Sequence, residues 1–321
     1  MKQKTNPFPF SDDNKRYHTW NYYLKHRFNT KVFKVALNAD FSCPNRDGKC
    51  GVGGCTFCSS LGSGDTAGNA NEDCMTQFEK GIELMRRKWP QGEAMAYFQA
   101  YTNTYAPLEV LKKTFDPFAH REDIKAIAIA TRADCLDDSI IDYLQSLTAY
   151  KEIWLELGLQ TIHNETALAI NRGHTYECFL EAIERLAKTD LKICVHLMNG
   201  LPNETKEMMI ESVKAVGKLP IHAVKIHMLH LLKNTRMGND YLKEPFPLLS
   251  KEEYIDIVVN QLMVLPKEIV IQRLTGDGVL DDLIAPMWTV RKVTVLNDID
   301  KEMVKRNVWQ GCAIDEIQKE A

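Results

Sequence analysis

A glycine-rich run at residues 40–64 concentrates the side chains that could perform chemistry. It reads DFSCPNRDGKCGVGGCTFCSSLGSG and contains Cys43, Cys50, Cys55 and Cys58. Thiolates are preferred ligands of iron–sulfur clusters and of zinc. Because glycine tolerates backbone conformations that other residues avoid, six glycines let this long loop fold tightly on itself. We therefore expect the loop to gather its thiols into one site.

The cysteine spacing leaves the ligand set open. Four thiolates would close a structural zinc site, whereas three on a 4Fe–4S cluster would leave one iron open to an external ligand. The spacing Cys50-x4-Cys55-x2-Cys58 also suits zinc. The position of the run directly after a predicted strand, and the glycines that follow its last cysteine, favour the open cluster. Zinc and metal-free buried thiols stay as alternatives.

Short apolar runs alternate with longer amphipathic runs along the chain. The predicted strands are 31–39, 93–101, 123–131, 151–160, 191–200 and 222–232. The predicted helices are 71–89, 107–119, 137–149, 175–188 and 203–217, and their starts are marked by Pro107, Asp137, Thr175 and Asn203. Repeated βαβ units predict an α/β fold with a parallel sheet, here a partial (β/α)6 TIM-type barrel whose site lies at the carboxyl ends of the strands.

This pattern also predicts domain boundaries. Residues 1–30 form a basic N-terminal arm, 31–232 the barrel core, and 233–321 a C-terminal extension that packs on the barrel, with a helix near 250–264 and a strand near 267–274.

Composition predicts an ordinary globular protein. The chain has 321 residues, of which 26% are charged and 45% hydrophobic. Its N-terminus lacks an apolar signal core, and there is no run of 18 apolar residues, so we expect a cytoplasmic protein without a membrane span. Nine cysteines in such a chain point to a metal or redox site and not to a disulfide framework.

Charge is uneven near the N-terminus. Residues 1–35 carry eight Lys or Arg against two Asp. This arm could bind tRNA through phosphate contacts and base stacking. The alternative is a solvated helix face whose aromatic side chains pack on the domain. The aromatic residues concerned are Tyr17, Trp20, Tyr22, Tyr23 and Phe28.

The cysteine run and several later motifs resemble one enzyme family. Cys43-x11-Cys55-x2-Cys58, with Phe57 before the last cysteine, is similar to an expanded three-cysteine motif of the radical S-adenosylmethionine (SAM) superfamily. The chain resembles most a small bacterial family related to the radical SAM domain of the elongator catalytic subunit. The motifs that carry this resemblance are KVALNADFSCPNRDG, TRADCL, LELGLQT, NRGHT, HLMNGLPNET, KIHMLHLLKNT and QRLTGDG.

The resemblance implies roles for the cysteines. Cys43, Cys55 and Cys58 would be the metal ligands and thereby the catalytic residues, and the open iron would bind SAM. Phe57 would border the adenine. Cys50 departs from the family motif and is interpreted as a spare loop residue.

Further candidates for binding SAM lie at the ends of later strands. Gln99 and Tyr101 would receive the amino group of SAM, and Glu156 with Gln160 would face the pocket, Glu156 towards the ribose diol. Ordinary strand-end polarity is the alternative for the first pair. Further along the chain, the candidates are Arg172 as a carboxylate clamp, Gly200 for close approach to adenine, and the backbone at Met228.

The implied reaction is reductive cleavage of SAM at a 4Fe–4S cluster to give a 5′-deoxyadenosyl radical. An external electron donor of the flavodoxin or ferredoxin type would be required. We expect tRNA as the substrate, at the C5 side chain of the wobble uridine. The 321 residues leave no room for the acetyltransferase domain of the elongator subunit, so a related reaction is expected. The alternatives are radical chemistry on a small molecule or protein, and a zinc-stabilised RNA-binding module without catalysis.

Overall fold

The computed structural model describes residues 6–62, 64, 67–276 and 280–314. The strands in these ranges are β1 (Val32–Leu37), β2 (Glu93–Phe98), β3 (Ile124–Thr131), β4 (Glu152–Gln160), β5 (Lys192–Asn199), β6 (Ala223–Met228), β7 (Leu231–Leu232), β8 (Val270–Arg273) and β9 (Leu283–Ala285). The α-helices are α1 (Trp20–Phe28), α2 (Cys74–Lys88), α3 (Leu108–Ala119), α4 (Asp138–Leu147), α5 (Asn164–Ala169), α6 (Tyr176–Leu186), α7 (Lys206–Val216), α8 (Arg236–Lys243), α9 (Lys251–Val264) and α10 (Lys292–Arg306).

The main sheet has seven strands in the order β1-β2-β3-β4-β5-β6-β8. The pairs β1–β2, β2–β3, β3–β4 and β6–β8 are parallel, whereas β7 and β9 form a separate antiparallel pair. Parallel strands are covered on both faces, which is why they appear in the sequence as nearly continuous apolar runs. The predicted α/β class and all six predicted strands are confirmed, and the strand predicted near 267–274 is the seventh member of this sheet.

Side-chain caps begin most of the helices that the sequence predicts. Asp137 accepts a hydrogen bond from the amide of Ile140 at the start of α4, and Thr175 does the same for α6. The helix predicted at 203–217 is confirmed as α7, but the start predicted at Asn203 was wrong, because the N-cap is Thr205. Asn203 instead has a φ of +67° in the preceding turn, where it cannot act as a cap.

The chain divides into two compact units. The first, named here the cysteine unit, comprises residues 24–159 and 167–195; the second, the terminal unit, comprises residues 1–23, 160–166 and 196–321. The domain boundaries expected from the sequence, after residues 30 and 232, stay predictions.

A phenylalanine cluster anchors α3 to β2 in the cysteine unit. The ring of Phe98 lies edge-on to Phe115 and Phe118, with centroids 4.8 and 5.2 Å away, and Phe78 from α2 is 5.4 Å from Phe118. All four side chains are almost fully buried. Since burying one such side chain contributes about 1.5–3 kcal/mol, the cluster fixes the strand ends beside the cysteine loop.

The N-terminal segment is built into the terminal unit. The amide of Ile271 on β8 donates to His18 O at 2.7 Å, and Thr19 forms a parallel bridge with Ile271. The fully buried Gln310 accepts from the amide of His18 at 2.8 Å and donates to Pro266 O at 2.7 Å. These bonds hold residues 18–19 along β8.

Basic and aromatic residues of the same segment make contacts inside the terminal unit. Arg16 is 3% exposed and donates to Val308 O at 3.4 Å, and Lys15 forms an ion pair with Asp300. Tyr17 is buried, so it cannot stack on a base without local unfolding. For Tyr17 the alternative interpretation, aromatic packing on the domain, is therefore correct.

No helix in the described part of the chain is long and apolar enough to cross a membrane.

Candidate functional site

The cysteine loop begins after β1 and its first part forms a tight hairpin. Asp47 and Val52 pair in an antiparallel bridge, and the amide of Cys50 donates to Pro44 O at 2.9 Å. Cys50 is consequently carried by the hairpin and is exposed. The hairpin accounts for the extra residues between Cys43 and Cys55 that lengthen the motif.

The second part of the loop is a turn that contains two of the predicted ligands. The amide of Cys58 donates to Cys55 O at 3.0 Å, so both residues lie in one turn, with Phe57 half-buried between them. Burial, followed by the nearby Cys58 and Cys43, raises the pKa of the Cys55 thiol to about 12. Metal binding deprotonates such thiols.

A segment distant in sequence holds this loop in place. The side-chain Nδ2 of Asn45 donates to Asn171 O, and Asn171 Nδ2 donates to Gly54 O at 2.7 Å. In the backbone, Thr56 donates to Ile170 O at 2.9 Å. The NRGHT motif therefore acts as a scaffold for the cysteine loop. Sequence reasoning missed this role of Asn45 and Asn171.

Two neighbouring side chains direct N–H groups at the thiols. Asn45 Nδ2 lies 3.7 Å from Cys55 Sγ, and Arg46 Nη2 lies 3.4 Å from Cys58 Sγ. Sulfur accepts hydrogen bonds at longer distances than oxygen does, and a cationic donor strengthens the contact. These contacts create a setting that stabilises negative charge on sulfur, as an anionic iron–sulfur cluster requires.

Arg132 organises the edge of the site. Its guanidinium donates two hydrogen bonds, of 2.9 and 2.8 Å, to the Asp134 carboxylate and a third, of 2.7 Å, to Arg172 O. Its Nη2 atom also lies 3.6 Å from Cys50 Sγ. Arg132 and Asp134 therefore pair with each other at the edge of the site.

Arg172 is almost fully buried and braces the backbone. Its Nε donates to His174 O at 2.9 Å, and its Nη1 donates to Leu159 O. Burial lowers the pKa of the guanidinium to about 10. The carboxylate clamp predicted for Arg172 stays a prediction, and the structure adds this bracing role beside it.

Gln99 and Tyr101 lie just beyond β2, which ends at Phe98 and not at residue 101 as predicted. Gln99 is half-buried, and its amide donates to Leu37 O at 3.1 Å. The Tyr101 hydroxyl donates to Ser60 O, and its ring lies beneath the Arg46 guanidinium at 5.4 Å. Tyr101 therefore supports the cysteine loop, and its predicted contact with SAM stays a prediction.

Glu156 has a cationic partner within the cysteine unit. Its fully buried carboxylate accepts a 2.7 Å bond from Lys34 Nζ on β1. Lys34 also lies over the ring of Tyr97, 4.6 Å from the centroid. The sequence argument that a buried carboxylate needs a partner was sound, but in the structure a lysine meets that need. The contact with the SAM ribose stays a prediction.

The remaining predicted residues belong to the terminal unit. Gln160 ends β4 with a φ of +61°, Gly200 follows β5 with a φ of +91°, and the buried Met228 ends β6. A Cβ atom on Gly200 would lie 3.3 Å from Leu249 Cδ1, which gives a packing reason for glycine. All three occupy strand ends, as expected.

The chemistry of the donor set suits an iron–sulfur cluster. Among the residues that the structure describes, no group of three His, Cys, Asp or Glu side chains is placed to hold a single metal ion. Thiolates are the usual ligands of 4Fe–4S clusters. The donor set and its N–H contacts fit the cluster.

Family models and known proteins match most of the chain. The Radical SAM superfamily model covers residues 48–216, and the Radical_SAM C-terminal domain model covers 221–305. The protein YtqA of Bacillus subtilis is 48% identical over 318 residues, which is 99% of each chain. The tRNA uridine(34) acetyltransferase of Methanocaldococcus jannaschii is 30% identical over 173 residues, 53% of this chain and 31% of that protein.

A solved structure shows the same fold. Elp3 of Methanocaldococcus infernus with an N-terminal deletion aligns with a TM-score of 0.67 and 20% identity, over 88% of this chain and 64% of that one. The predicted partial TIM-type barrel is thereby confirmed. From the family match, the chain belongs to the radical SAM superfamily and is a radical SAM enzyme with a 4Fe–4S cluster and SAM as its cofactors.

Proposed function

We propose that this enzyme holds its cluster on Cys43, Cys55 and Cys58, cleaves SAM reductively and modifies the C5 side chain of a wobble uridine in tRNA. The assignment of Cys55 and Cys58 is supported by the turn that joins them and by the N–H donors directed at both sulfurs, and that of Cys43 by the match of the chain to the radical SAM family. The exposed Cys50, which faces Arg132 from the hairpin, is left outside the ligand set.

The tRNA substrate is supported by similarity. The matched region of the tRNA uridine(34) acetyltransferase spans about half of this chain, and the Elp3 fold covers most of it. The same matched region makes up 31% of that acetyltransferase. The shared region is therefore the part on which a common uridine chemistry would rest.

The chain's own residues would bind and orient SAM. When bound, the cluster supplies the electron that converts SAM into methionine and a 5′-deoxyadenosyl radical, and a flavodoxin- or ferredoxin-type donor would supply that electron in turn. The SAM-binding residues proposed here are Phe57, Gln99, Tyr101, Glu156, Gln160, Arg172, Gly200 and Met228.

The cluster assignment has a direct test. Protein purified anaerobically and reconstituted with iron and sulfide is assayed for iron content and for 5′-deoxyadenosine. Alanine at Cys43, Cys55 or Cys58 is expected to remove most of the bound iron, whereas Cys50→Ala retains it. Full iron in any of the first three variants would refute the assignment.

The tRNA substrate is tested by mass spectrometry of tRNA nucleosides. Cells that lack the protein are expected to accumulate a wobble uridine with an incomplete C5 side chain. Expression of the wild-type protein should restore the complete side chain, whereas expression of the Cys55→Ala variant should not. Unchanged nucleosides would favour the alternative, radical chemistry on a small molecule or protein. Charge reversal of the N-terminal arm is a poor substitute test, because Arg16 and Lys15 have internal partners.

A further inference from the structure

We infer that Asn45 and Arg46 raise the reduction potential of the cluster by donating hydrogen bonds to two of its thiolate ligands. This inference rests on the proposed assignment of Cys55 and Cys58 as ligands. It makes these two loop residues positioning and tuning groups in a reaction that depends on cluster reduction.

The Asn45 amide is held in one orientation. The side chain is fully buried, and its Nδ2 donates to Asn171 O while it lies 3.7 Å from Cys55 Sγ. Gly51 and Gly173 lie against its oxygen. A Cβ atom added to Gly51 would lie 2.0 Å from Asn45 Oδ1, and one added to Gly173 would lie 2.7 Å from it. Since the oxygen side is enclosed and the nitrogen side is bonded, the N–H group stays directed at Cys55.

Arg46 is held just as firmly. Its Nη2 lies 3.4 Å from Cys58 Sγ and also donates to Ser59 O, while Tyr101 lies beneath the guanidinium. Gly54 leaves space for the side chain, because a Cβ atom there would lie 3.0 Å from Arg46 Nε. The positive charge is therefore fixed beside one thiol.

The sign of the effect follows from charge. A cluster on three thiolates becomes more negative when it gains an electron. A hydrogen bond to sulfur, and above all a cationic one, stabilises the reduced form more than the oxidised form. Both residues should therefore make reduction easier, and the charged Arg46 should contribute more than the neutral Asn45.

The test is a potentiometric titration followed by electron paramagnetic resonance (EPR) on reconstituted protein, with and without SAM. At the wild-type midpoint, Arg46→Gln is expected to lower the ratio of reduced to oxidised cluster about tenfold, a shift of about 59 mV for one electron. Asn45→Ala should shift it less in the same direction, and Arg46→Lys should recover part of the effect. Lys49→Gln removes an exposed charge from the same loop and serves as the matched control, with an unchanged midpoint.

The outcomes separate this inference from the proposed function. If the cysteine variants lose iron but Arg46→Gln keeps the wild-type midpoint, the tuning role is overturned and the ligand assignment stands. EPR reports only on molecules that carry a cluster, so a partly loaded variant still gives a decisive midpoint. A Lys49→Gln shift equal to that of Arg46→Gln would also overturn the inference, because it would indicate general charge and not a hydrogen bond.

Discussion

Lys34 on β1 and Glu156 on β4 form a buried ion pair, with 2.7 Å between Lys34 Nζ and Glu156 Oε1. The carboxylate is fully buried and the lysine side chain is 22% exposed. The two strands are not neighbours in the sheet, so the pair spans β2 and β3. Any molecule that binds Glu156 must share this carboxylate with the lysine.

Breaking this pair should be costly. Lys34→Met removes a cationic partner from the buried carboxylate of Glu156, and we expect the free energy of unfolding to fall by about 3 kcal/mol, the low end for breaking a buried pair, because the lysine is partly exposed. The double variant Lys34→Met/Glu156→Leu should lose much less than the sum of the single variants. Anaerobic urea unfolding measures all of these, and additive losses would contradict a coupled pair.

Asn171 should support both stability and cluster retention. Asn171→Ala removes its bonds to the partly buried Gly54 O and to the exposed Val52 O, and leaving the Gly54 carbonyl without this donor costs about 1–3 kcal/mol. We expect faster loss of iron in the presence of a chelator. Asn69→Ala, at an exposed turn, is the matched control. Equal rates of iron loss in both variants would show that Asn171 does not hold the loop.

Gly54 and Gly53 allow a test that separates backbone strain from displacement of Arg46. Their φ angles are +80° and +79°, so alanine is similarly strained at both, but a Cβ at Gly53 meets nothing within 4 Å in the described residues. Each substitution should cost about 1–2 kcal/mol in strain. Only Gly54→Ala should also lower the cluster midpoint. A matching shift in Gly53→Ala would mean that displacement of Arg46 is not the cause.

His174 should lower the free energy of unfolding as the solution becomes mildly acidic. Burial, followed by Arg172 and Arg132, lowers its pKa to about 4. Above pH ~6.5 the ring is neutral in both the folded and unfolded states, so it adds no pH dependence. As pH falls from there towards 4, only the unfolded chain takes up the proton, and stability falls.

The variant His174→Gln should flatten that part of the profile. Anaerobic thermal melts between pH 4.5 and 8 compare the two proteins, within the window set by the two pKa values. If the slope between pH 6.5 and 4.5 is the same in both, another group is responsible for it.

The sequence predicted the repeated strands and helices well because each is signalled locally. Continuous apolar runs mark parallel strands, and side chains such as Asp137 and Thr175 mark helix starts. The helix α10 was not assigned, although Val295, Ile299 and Met303 are buried at helical spacing. Its many charged residues hid that pattern.

Contacts between distant residues were beyond the sequence. Asn45 forms a hydrogen bond with Asn171, which is 126 residues away in the sequence, and Lys34 forms one with Glu156, which is 122 residues away. The internal contacts of Arg16 were hidden for the same reason, because its partner Val308 lies 292 positions away in the sequence. Counting charge can suggest a nucleic-acid surface, but only the fold shows which charges are already engaged.

The hydrogen bonds between Asn45, Asn171 and the backbone around Cys55 are formed entirely between groups of the protein itself. The loop should therefore keep its shape when oxygen destroys the cluster. Damage to the iron would then leave a template in place, and the enzyme could be repaired with fresh iron and sulfide instead of being degraded and synthesised again.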